Sequence, residues 1–341
     1  MPNEISEIHY TICPVGNASY IAANKGWFKE GLRPLGVEPV LLPSLPREYW
    51  KAHFDYSDPV LFREGGNIPP IWAKSNGADV VLIGTALLAQ RQYIIVRADS
   101  TIGSVDELIH CKLGIPVRSK ALIDFHKATA EHGFSIALES RGFRLADENR
   151  VEIITEGDFH STPINQKGDY KSREFYALES GEVDALYVKL STIQQFLDTG
   201  KFRVLFDLTS GKEHILPINN EYPEAFTVSR SLAEKRPEVV VAYVKQVLRA
   251  ARWAKTNYPG ALACLAAQTH ATRIQAAASF AFDFHRHLDL NLSEENLSFL
   301  DAQKRFLYDS GYITKDFDIS AWADGSFLRA ADAELLEEDA A

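Results

Sequence analysis

The stretch Ile8-His-Tyr-Thr-Ile-Cys-Pro-Val-Gly-Asn17 decides how the fold begins. The run from Ile8 to Ile12 is extended in character and predicts a first strand. From Asn17 to Glu30 the apolar residues recur at helical spacing, which predicts a helix that ends before Gly31 and Pro34. Cys13 therefore lies where a predicted strand ends and a predicted helix begins.

Extended and helical runs alternate along the rest of the chain. Asp79 to Gly84 and Gln92 to Arg97 contain continuous apolar runs, which are typical of strands buried on both faces. The other predicted strands are Val37 to Leu42, Cys111 to Pro116, Val151 to Thr155, Val183 to Val188, Arg203 to Leu208 and Phe226 to Ser229. The later predicted helices are Ser119 to His132, Lys171 to Gly181, Pro237 to Thr256, Pro259 to Gln268, Thr272 to Phe284 and Ser293 to Ser310.

This alternation predicts an α/β protein with parallel sheets of the doubly wound type. The chain has 341 residues, which is enough for two domains with separate cores. We expect residues 1–98 and 208–341 to form domain I, and residues 99–207 to form an inserted domain II joined to it by two crossings. Ligands of such folds bind at the carboxyl ends of the strands, so we expect the site in a cleft between the two domains.

The composition is that of a globular protein, with 46% hydrophobic and 24% charged residues. No apolar stretch approaches the length of a membrane-spanning helix. The formal net charge is -10 and no dense cluster of Lys and Arg occurs, which argues against nucleic acid as a partner. The N-terminus shows no secretory signal, so we expect a cytoplasmic protein.

The cysteines Cys13, Cys111 and Cys264 are widely spaced and odd in number, which favours reduced thiols over a disulfide framework. No CxxC pair suggests a zinc site. His285 and His287 resemble half of a metal site, but no neighbouring cysteine or carboxylate pattern completes it. The sequence also lacks a GxSxG elbow, a Walker loop and a strand-linked GxGxxG. We therefore expect neither a metal nor a bound cofactor.

Three residues are candidates for chemistry, and each has a plain structural alternative. Cys13 precedes a helix whose N-terminal amides would favour a thiolate, although a lone cysteine is more often a small buried apolar residue. Arg63 could hold an anion with two oxygens, or it could be a surface arginine paired with Glu64 or Asp58. His53 could transfer protons, or it could be a structural histidine.

Three segments together resemble the active-site segments of the 2'-hydroxybiphenyl-2-sulfinate desulfinase family. They are Thr11-Ile-Cys-Pro-Val-Gly-Asn-Ala18, His53-Phe-Asp-Tyr56 and Arg63-Glu-Gly-Gly-Asn-Ile-Pro-Pro70. Their order and the spacing from His53 to Arg63 match, whereas the stretch between Cys13 and His53 is longer here. The resemblance continues through Leu82 to Thr85, Arg91 to Arg97, Ser180 to Tyr187 and Trp253 to Lys255, and so covers nearly the whole chain.

The resemblance implies a bilobal fold like that of type II periplasmic binding proteins, and a cofactor-free enzyme that splits an aryl carbon–sulfur bond to release sulfite. It implies that Cys13, His53 and Arg63 are the catalytic residues. Thr11, Asn17, Gly65 and Gly66 are the expected substrate contacts, with Thr11 in place of the family's serine. The expected partner is a small aromatic sulfinate-like anion, bound by a monomer.

Three other functions stay open on the sequence alone. The first is a solute-binding protein of a transporter for a sulfonate-like or other small organic anion, since most proteins of this fold serve transport. The second is another enzyme on the same scaffold, such as a pyrimidine-precursor synthase of thiamine biosynthesis, although that family's cysteine cluster is not evident. The third is a cytosolic sensor that has lost turnover.

Overall fold

The computed structural model describes residues 5–13, 16–87, 90–155, 168–189, 193–210 and 217–340. The chain separates into two compact units. The first comprises Met1–Leu88, Asn220–Ala276 and Phe282–Ala341, and the second comprises Ala89–Asn219 with Ala277–Ala281. Each unit contains one five-stranded sheet.

The strands and helices are numbered in chain order. The strands are β1 (Glu7–Thr11), β2 (Glu38–Leu41), β3 (Leu61–Gly65), β4 (Val80–Ala86), β5 (Gln92–Arg97), β6 (Leu113–Val117), β7 (Arg150–Ile154), β8 (Ala185–Lys189), β9 (Phe202–Asp207) and β10 (Glu224–Ser229). The helices are α1 (Ala18–Asn24), α2 (Trp27–Leu32), α3 (Ala52–Asp55), α4 (Ile68–Ser75), α5 (Phe125–Glu139), α6 (Gly168–Glu179), α7 (Ile193–Leu197), α8 (Arg230–Lys235), α9 (Pro237–Thr256), α10 (Tyr258–Gln268), α11 (Arg273–Ser279), α12 (Glu294–Asp309), α13 (Ile319–Trp322) and α14 (Ser326–Ala340).

The sheet of the first unit has the order β2-β1-β3-β10-β4. Strand β1 runs parallel to β2 and β3, whereas β10 runs antiparallel to both β3 and β4. Every residue of β3 and β4 is buried, because helices cover the sheet. The long helix α9 contributes Tyr243, whose ring stacks on Phe28 at 4.3 Å and on Phe62 at 4.2 Å between centroids.

The sheet of the second unit has the order β7-β6-β8-β5-β9. Strand β6 is parallel to β7 and β8, and β5 is antiparallel to β8 and β9. Its core is apolar, since Ile94, Leu113, Ile115 and Phe134 are completely buried. The unit therefore repeats the pattern of three parallel strands followed by an antiparallel one.

Several expectations from the sequence need correction. The predicted parallel sheets are mixed, because β5 and β10 each run against their neighbours. Strand β3 is not among the strands predicted from the sequence, and charged residues occupy its centre. The predicted helix from Asn17 to Glu30 is two helices, separated at Gly26, which adopts φ +75°.

The limits of some elements also differ from the predictions. The helix expected from Ser119 begins at Phe125 as α5. The helix expected to reach Phe284 ends at Ser279 as α11. Strand β5 pairs within the second sheet, although the expected boundary after residue 98 assigns it to domain I. The second unit likewise extends past residue 207 to Asn219.

Candidate active site

Cys13 follows the last paired residue of β1, at the carboxyl end of that strand. It is half-buried. Its backbone carbonyl accepts hydrogen bonds from Gln268 Nε2 at 2.6 Å and from Asn17 Nδ2 at 3.4 Å. The carboxyl ends of β1 and β3 meet at the same edge of the sheet because the two strands are parallel. Residues that end β3 therefore lie beside Cys13.

Arg63 lies in β3, directly opposite Thr11 of β1 and Thr227 of β10. Its side chain is 2% exposed. The guanidinium donates to the His53 carbonyl from Nε at 3.3 Å and to the Gly66 carbonyl from Nη1 at 2.6 Å. No carboxylate of the described residues lies within ion-pair distance of it. A buried arginine held in this way keeps its charge available for an anion.

His53 lies in the short helix α3 and connects Arg63 to Thr11. Its Nε2 is 3.2 Å from Arg63 Nη2, and its Nδ1 is 2.9 Å from Thr11 Oγ1. Since arginine can only donate, Nε2 accepts, and the hydrogen-bond network assigns the neutral tautomer with its proton on Nδ1. The Thr11 hydroxyl oxygen accepts a hydrogen bond from this Nδ1–H and another from the Glu64 amide at 3.4 Å.

The described residues use only some of the donors of Arg63. Its bonds to His53 and Gly66 occupy the Nε–H and one N–H on each terminal nitrogen. A second N–H therefore remains on both Nη1 and Nη2. This is the arrangement that a two-oxygen anion such as a carboxylate or a sulfinate requires.

Two glycines allow the close approaches around Cys13 and Arg63. Gly65 adopts φ +142°, and a Cβ added there would lie 2.9 Å from Cys13 Cβ. A Cβ added at Gly66 would lie 2.1 Å from Asn220 Nδ2. Both positions therefore exclude any larger residue unless the site shifts.

Asn220 fixes the turn between β3 and α4. Its carbonyl accepts from the Asn67 amide at 2.5 Å, and its Oδ1 accepts from the Ile68 amide at 2.9 Å. Asn220 thus satisfies two amides at the start of α4. The position of Gly66 next to these residues is set by the protein before any ligand binds.

Burial changes the acid–base properties of this region. Burial lowers the pKa of Arg63, while nearby Tyr56 and Cys13 act in the opposite direction. Burial raises the pKa of Tyr56, whose hydroxyl is 2.6 Å from Thr227 Oγ1. On the opposite face of β3, burial raises the pKa of Glu64 to about 8. Glu64 is thus largely protonated at neutral pH.

The structure brings most of the predicted site residues together. Thr11, Cys13, His53, Arg63, Gly65 and Gly66 lie around one edge of the first sheet. Arg63 is buried within a strand and is not a surface arginine paired with Asp58, which instead lies 2.5 Å from His9 Nδ1. Asn17 is 4% exposed, and its Oδ1 accepts from the Tyr20 amide to cap α1, while its role as a substrate contact stays a prediction.

Sequence reasoning missed Gln268 and Asn220. Gln268 is separated from Cys13 by 255 positions, so no local pattern links the two. Asn220 stands in a run of polar residues, Asn219-Asn220-Glu221, before Tyr222-Pro223, which reads as an ordinary turn. What distinguishes this polar run is its burial in the folded protein. Burial is not visible in the sequence, so the sequence offers no signal for Asn220.

The described part of the chain contains neither a metal-binding cluster nor a membrane-spanning helix. None of its His, Cys, Asp and Glu side chains forms a cluster of at least three that could hold a metal ion. Of its helices, none is both long and apolar enough to cross a membrane. His287, considered above for a metal, lies 3.1 Å from Asp283 instead.

Comparison with known proteins supports the resemblance seen in the sequence. The chain is 26% identical over 348 residues to 2'-hydroxybiphenyl-2-sulfinate desulfinases of Rhodococcus erythropolis and Rhodococcus qingshengii. The match covers 94% of this chain and 92% of those proteins. The predicted resemblance to the desulfinase family is confirmed. No family model matches the sequence.

Solved structures give the same result for the fold. A cysteine-to-serine mutant of DszB in complex with biphenyl-2-sulfinic acid superposes with a TM-score of 0.76 at 22% identity, covering 96% of this chain and 99% of that one. The periplasmic aliphatic sulphonate binding protein SsuA from Escherichia coli superposes with a TM-score of 0.65 at 17% identity, covering 94% and 92%. The predicted α/β, periplasmic-binding-protein-like fold is confirmed.

Proposed function

We propose that this protein is a desulfinase that cleaves the carbon–sulfur bond of an aromatic sulfinate and releases sulfite. The observation that carries the proposal is the buried guanidinium of Arg63, which lies beside Cys13 with an N–H remaining on each terminal nitrogen. The similarity to named desulfinases over 94% of the chain supports it. Cys13, His53 and Arg63 are the proposed catalytic residues, and no cofactor is invoked.

In the proposed complex, Arg63 holds the two sulfinate oxygens. A sulfinate carries one negative charge shared by two oxygens, which matches the paired donors of a guanidinium. Gly65 and Gly66 leave room for the group because neither has a side chain. The sulfur is thereby held against the thiol of Cys13, and positioning of this kind accounts for much of an enzyme's rate enhancement.

Two balanced routes lead from this complex to products. In the first, the Cys13 thiol protonates the ring carbon, the carbon–sulfur bond breaks with its electron pair on carbon, and sulfur dioxide leaves. Water then converts the sulfur dioxide to hydrogen sulfite and returns the proton to the thiolate. In the second, the thiolate attacks sulfur to form a sulfur–sulfur bond, the carbon–sulfur bond breaks with its electron pair on carbon, and the carbon takes the proton that the thiol released. Water then cleaves the sulfur–sulfur bond, giving its hydroxide to sulfur as hydrogen sulfite and its remaining proton to the Cys13 thiolate.

His53 serves both routes as an orienting group. It is held between Thr11 and Arg63, so its ring keeps the guanidinium in a single orientation. The neutral imidazole carries no charge, so it leaves the positive charge of Arg63 available to the substrate. A substitution of His53 should therefore weaken turnover without abolishing it.

The direct test is a sulfite-release assay on purified protein with a panel of aryl and alkyl sulfinates. We expect release from aryl sulfinates, and we expect Cys13→Ser to remove it while sulfinate binding stays measurable by calorimetry. Cys111→Ser is the matched control, since that thiol lies in the other unit. Normal turnover by the Cys13→Ser protein would disprove the assignment of Cys13.

The same assay separates catalysis from simple binding. The fold is shared with the sulphonate-binding protein SsuA, so binding of an unchanged organic anion is the second candidate function. If the protein binds sulfinates or sulfonates tightly and no sulfite is released, the desulfinase proposal fails. Intact-protein mass spectrometry during turnover separates the two routes, because only the second forms an adduct on Cys13.

A further inference from the structure

Gln268, the last residue of α10, reaches the strand end that carries Cys13. Its side chain is 5% exposed. Its Nε2 donates to the Cys13 carbonyl at 2.6 Å and faces Asn17 Oδ1 at 3.4 Å, while its Oε1 accepts from the Asn17 amide at 3.3 Å. One buried amide group thus contacts both ends of the segment between β1 and α1.

The same helix closes on this segment through a second contact. Gly16 adopts φ +68°, and a Cβ added there would lie 2.0 Å from Leu265 Cδ1. Leu265 and Gln268 are three positions apart on α10 and therefore share a face of the helix. Packing and hydrogen bonding by α10 act together on the residues that follow β1.

Cys13 needs such support because the ladder of β1 ends before it. The last paired residue of β1 is Thr11, which stands opposite Arg63. Beyond it, the position of the thiol depends on the backbone of the segment that leads to α1. The carbonyl of Cys13 is held by Gln268 and, at a longer distance, by Asn17 Nδ2.

We propose that Gln268 is a positioning residue, which holds the Cys13 backbone so that the thiol faces the anion bound by Arg63. This inference rests on the proposed function for its catalytic consequence. The geometric part, that the Gln268 amide sets the accessibility and placement of the Cys13 thiol, does not require turnover. A small displacement of a reacting atom is enough to lower the rate strongly.

The test compares Gln268→Ala and Gln268→Glu with the wild type. Gln268→Glu keeps the size of the side chain but places a carboxylate, which cannot donate, against the carbonyl of Cys13 and Oδ1 of Asn17. This variant therefore separates the effect of hydrogen-bond donation from the effect of packing. Gln303→Ala is the control, since Gln303 is a fully buried glutamine in α12. Alkylation of Cys13 by iodoacetamide is followed on its peptide by mass spectrometry, and kcat and KM for sulfite release are measured in parallel.

We expect Cys13 alkylation to become about 3-fold faster or more in both Gln268 variants, and kcat to fall about 10-fold while KM stays within about 2-fold. Gln303→Ala should leave alkylation and kcat unchanged even if it lowers the melting temperature. Unchanged alkylation in Gln268→Glu would overturn the inference. If the wild type releases no sulfite, the proposed function fails, and the alkylation result still decides the role of Gln268.

Discussion

The two units build similar sheets but treat their buried arginines differently. In the second unit, Arg118 follows β6, is 3% exposed and forms an ion pair with Glu174 at 2.5 Å. In the first unit, Arg63 lies within β3 and is equally buried, yet its hydrogen-bond partners are a histidine and two carbonyl oxygens, and no carboxylate of the described residues lies within ion-pair distance of it. Arg118 thus has a carboxylate at ion-pair distance, whereas among the described residues Glu64 and Glu224 affect Arg63 only from beyond that distance.

This difference indicates what each arginine is for. A buried charge without a counter-ion is expensive, so a fold that needs only stability would replace or pair it. Arg118 has its partner within the chain and serves the structure of its own unit. In the proposed function, Arg63 pairs with the sulfinate when it binds, which would make the first unit the one specialised for chemistry.

The largest expected effect comes from exchanging each arginine for methionine. Arg63→Met removes charged hydrogen bonds to the substrate, so we expect turnover to fall about 10²- to 10³-fold. Its unfolding free energy should change by less than about 1.5 kcal/mol, because the loss of hydrogen bonds is offset by removal of a buried charge. Sulfite release and urea denaturation measure the two quantities.

Arg118→Met is the matched variant in the second unit. It removes a buried guanidinium that pairs with the partly exposed carboxylate of Glu174, so we expect a loss of about 2 kcal/mol in unfolding free energy. Turnover by the folded fraction should stay near the wild-type value. If Arg118→Met lowers turnover as much as Arg63→Met does, the comparison between the two arginines is wrong.

An intermediate effect is expected at the glycines. Gly65→Ala places a methyl group 2.9 Å from Cys13 Cβ at φ +142°, so we expect turnover to fall about 10- to 100-fold and stability to fall by about 2 kcal/mol. Gly114→Ala in β6 places a methyl group 2.5 Å from Leu186 Cδ2, within an apolar core. It should lose a similar amount of stability by overpacking and leave turnover of the folded protein unchanged.

Gly77→Ala isolates the cost of the backbone conformation. Gly77 adopts φ +94°, and an added Cβ there meets nothing within 4 Å. We expect it to lose stability by about 1 kcal/mol and to keep full turnover. A loss of turnover in Gly77→Ala would mean that the effect of Gly65→Ala is not specific to the contact with Cys13.

The same two sheets show which parts of the fold could be predicted. Strand β4 was predicted because nearly all of its residues are apolar, as expected for a strand covered on both faces. Strand β3 was missed because Arg63 and Glu64 occupy its centre, where the sequence alone indicates exposure. The direction of β5 and β10 was missed because an apolar run predicts a strand and says nothing about its orientation.

The candidate site divides in a similar way. Thr11, Cys13, His53 and Arg63 could be proposed because their segments resemble those of a known family. The contacts of Gln268 and Asn220 could not, because they depend on tertiary packing between distant segments. Asn17 was assigned to the substrate for its place in a motif, whereas its side chain caps α1.

Replacing Glu64 should have the smallest effect on turnover and a clear effect on stability. Glu64 is 1% exposed, and its side-chain hydrogen bond to Ser19 and the charge of Arg63 only partly offset the effect of burial on its pKa. Burial raises its pKa from 4.5 to about 8, so between these values the folded protein holds a proton that the unfolded chain has released. Stability must therefore fall as the pH rises through this window and level off above it.

Glu64→Gln removes that proton linkage and keeps the shape of the side chain. A pKa difference of this size corresponds to roughly 5 kcal/mol, so the variant should be more stable than the wild type at pH about 8 and similar to it at pH about 4. Denaturation curves across the pH range measure this. Glu131→Gln in the second unit is the control, because Glu131 lies 3.5 Å from Arg150 Nη1. The decrease in stability with rising pH that the wild type shows should persist in this variant. Glu64 lies on the face of β3 opposite Arg63, so turnover in Glu64→Gln should stay within about 3-fold of the wild type. A larger loss of turnover would show that the two faces of this strand are not independent.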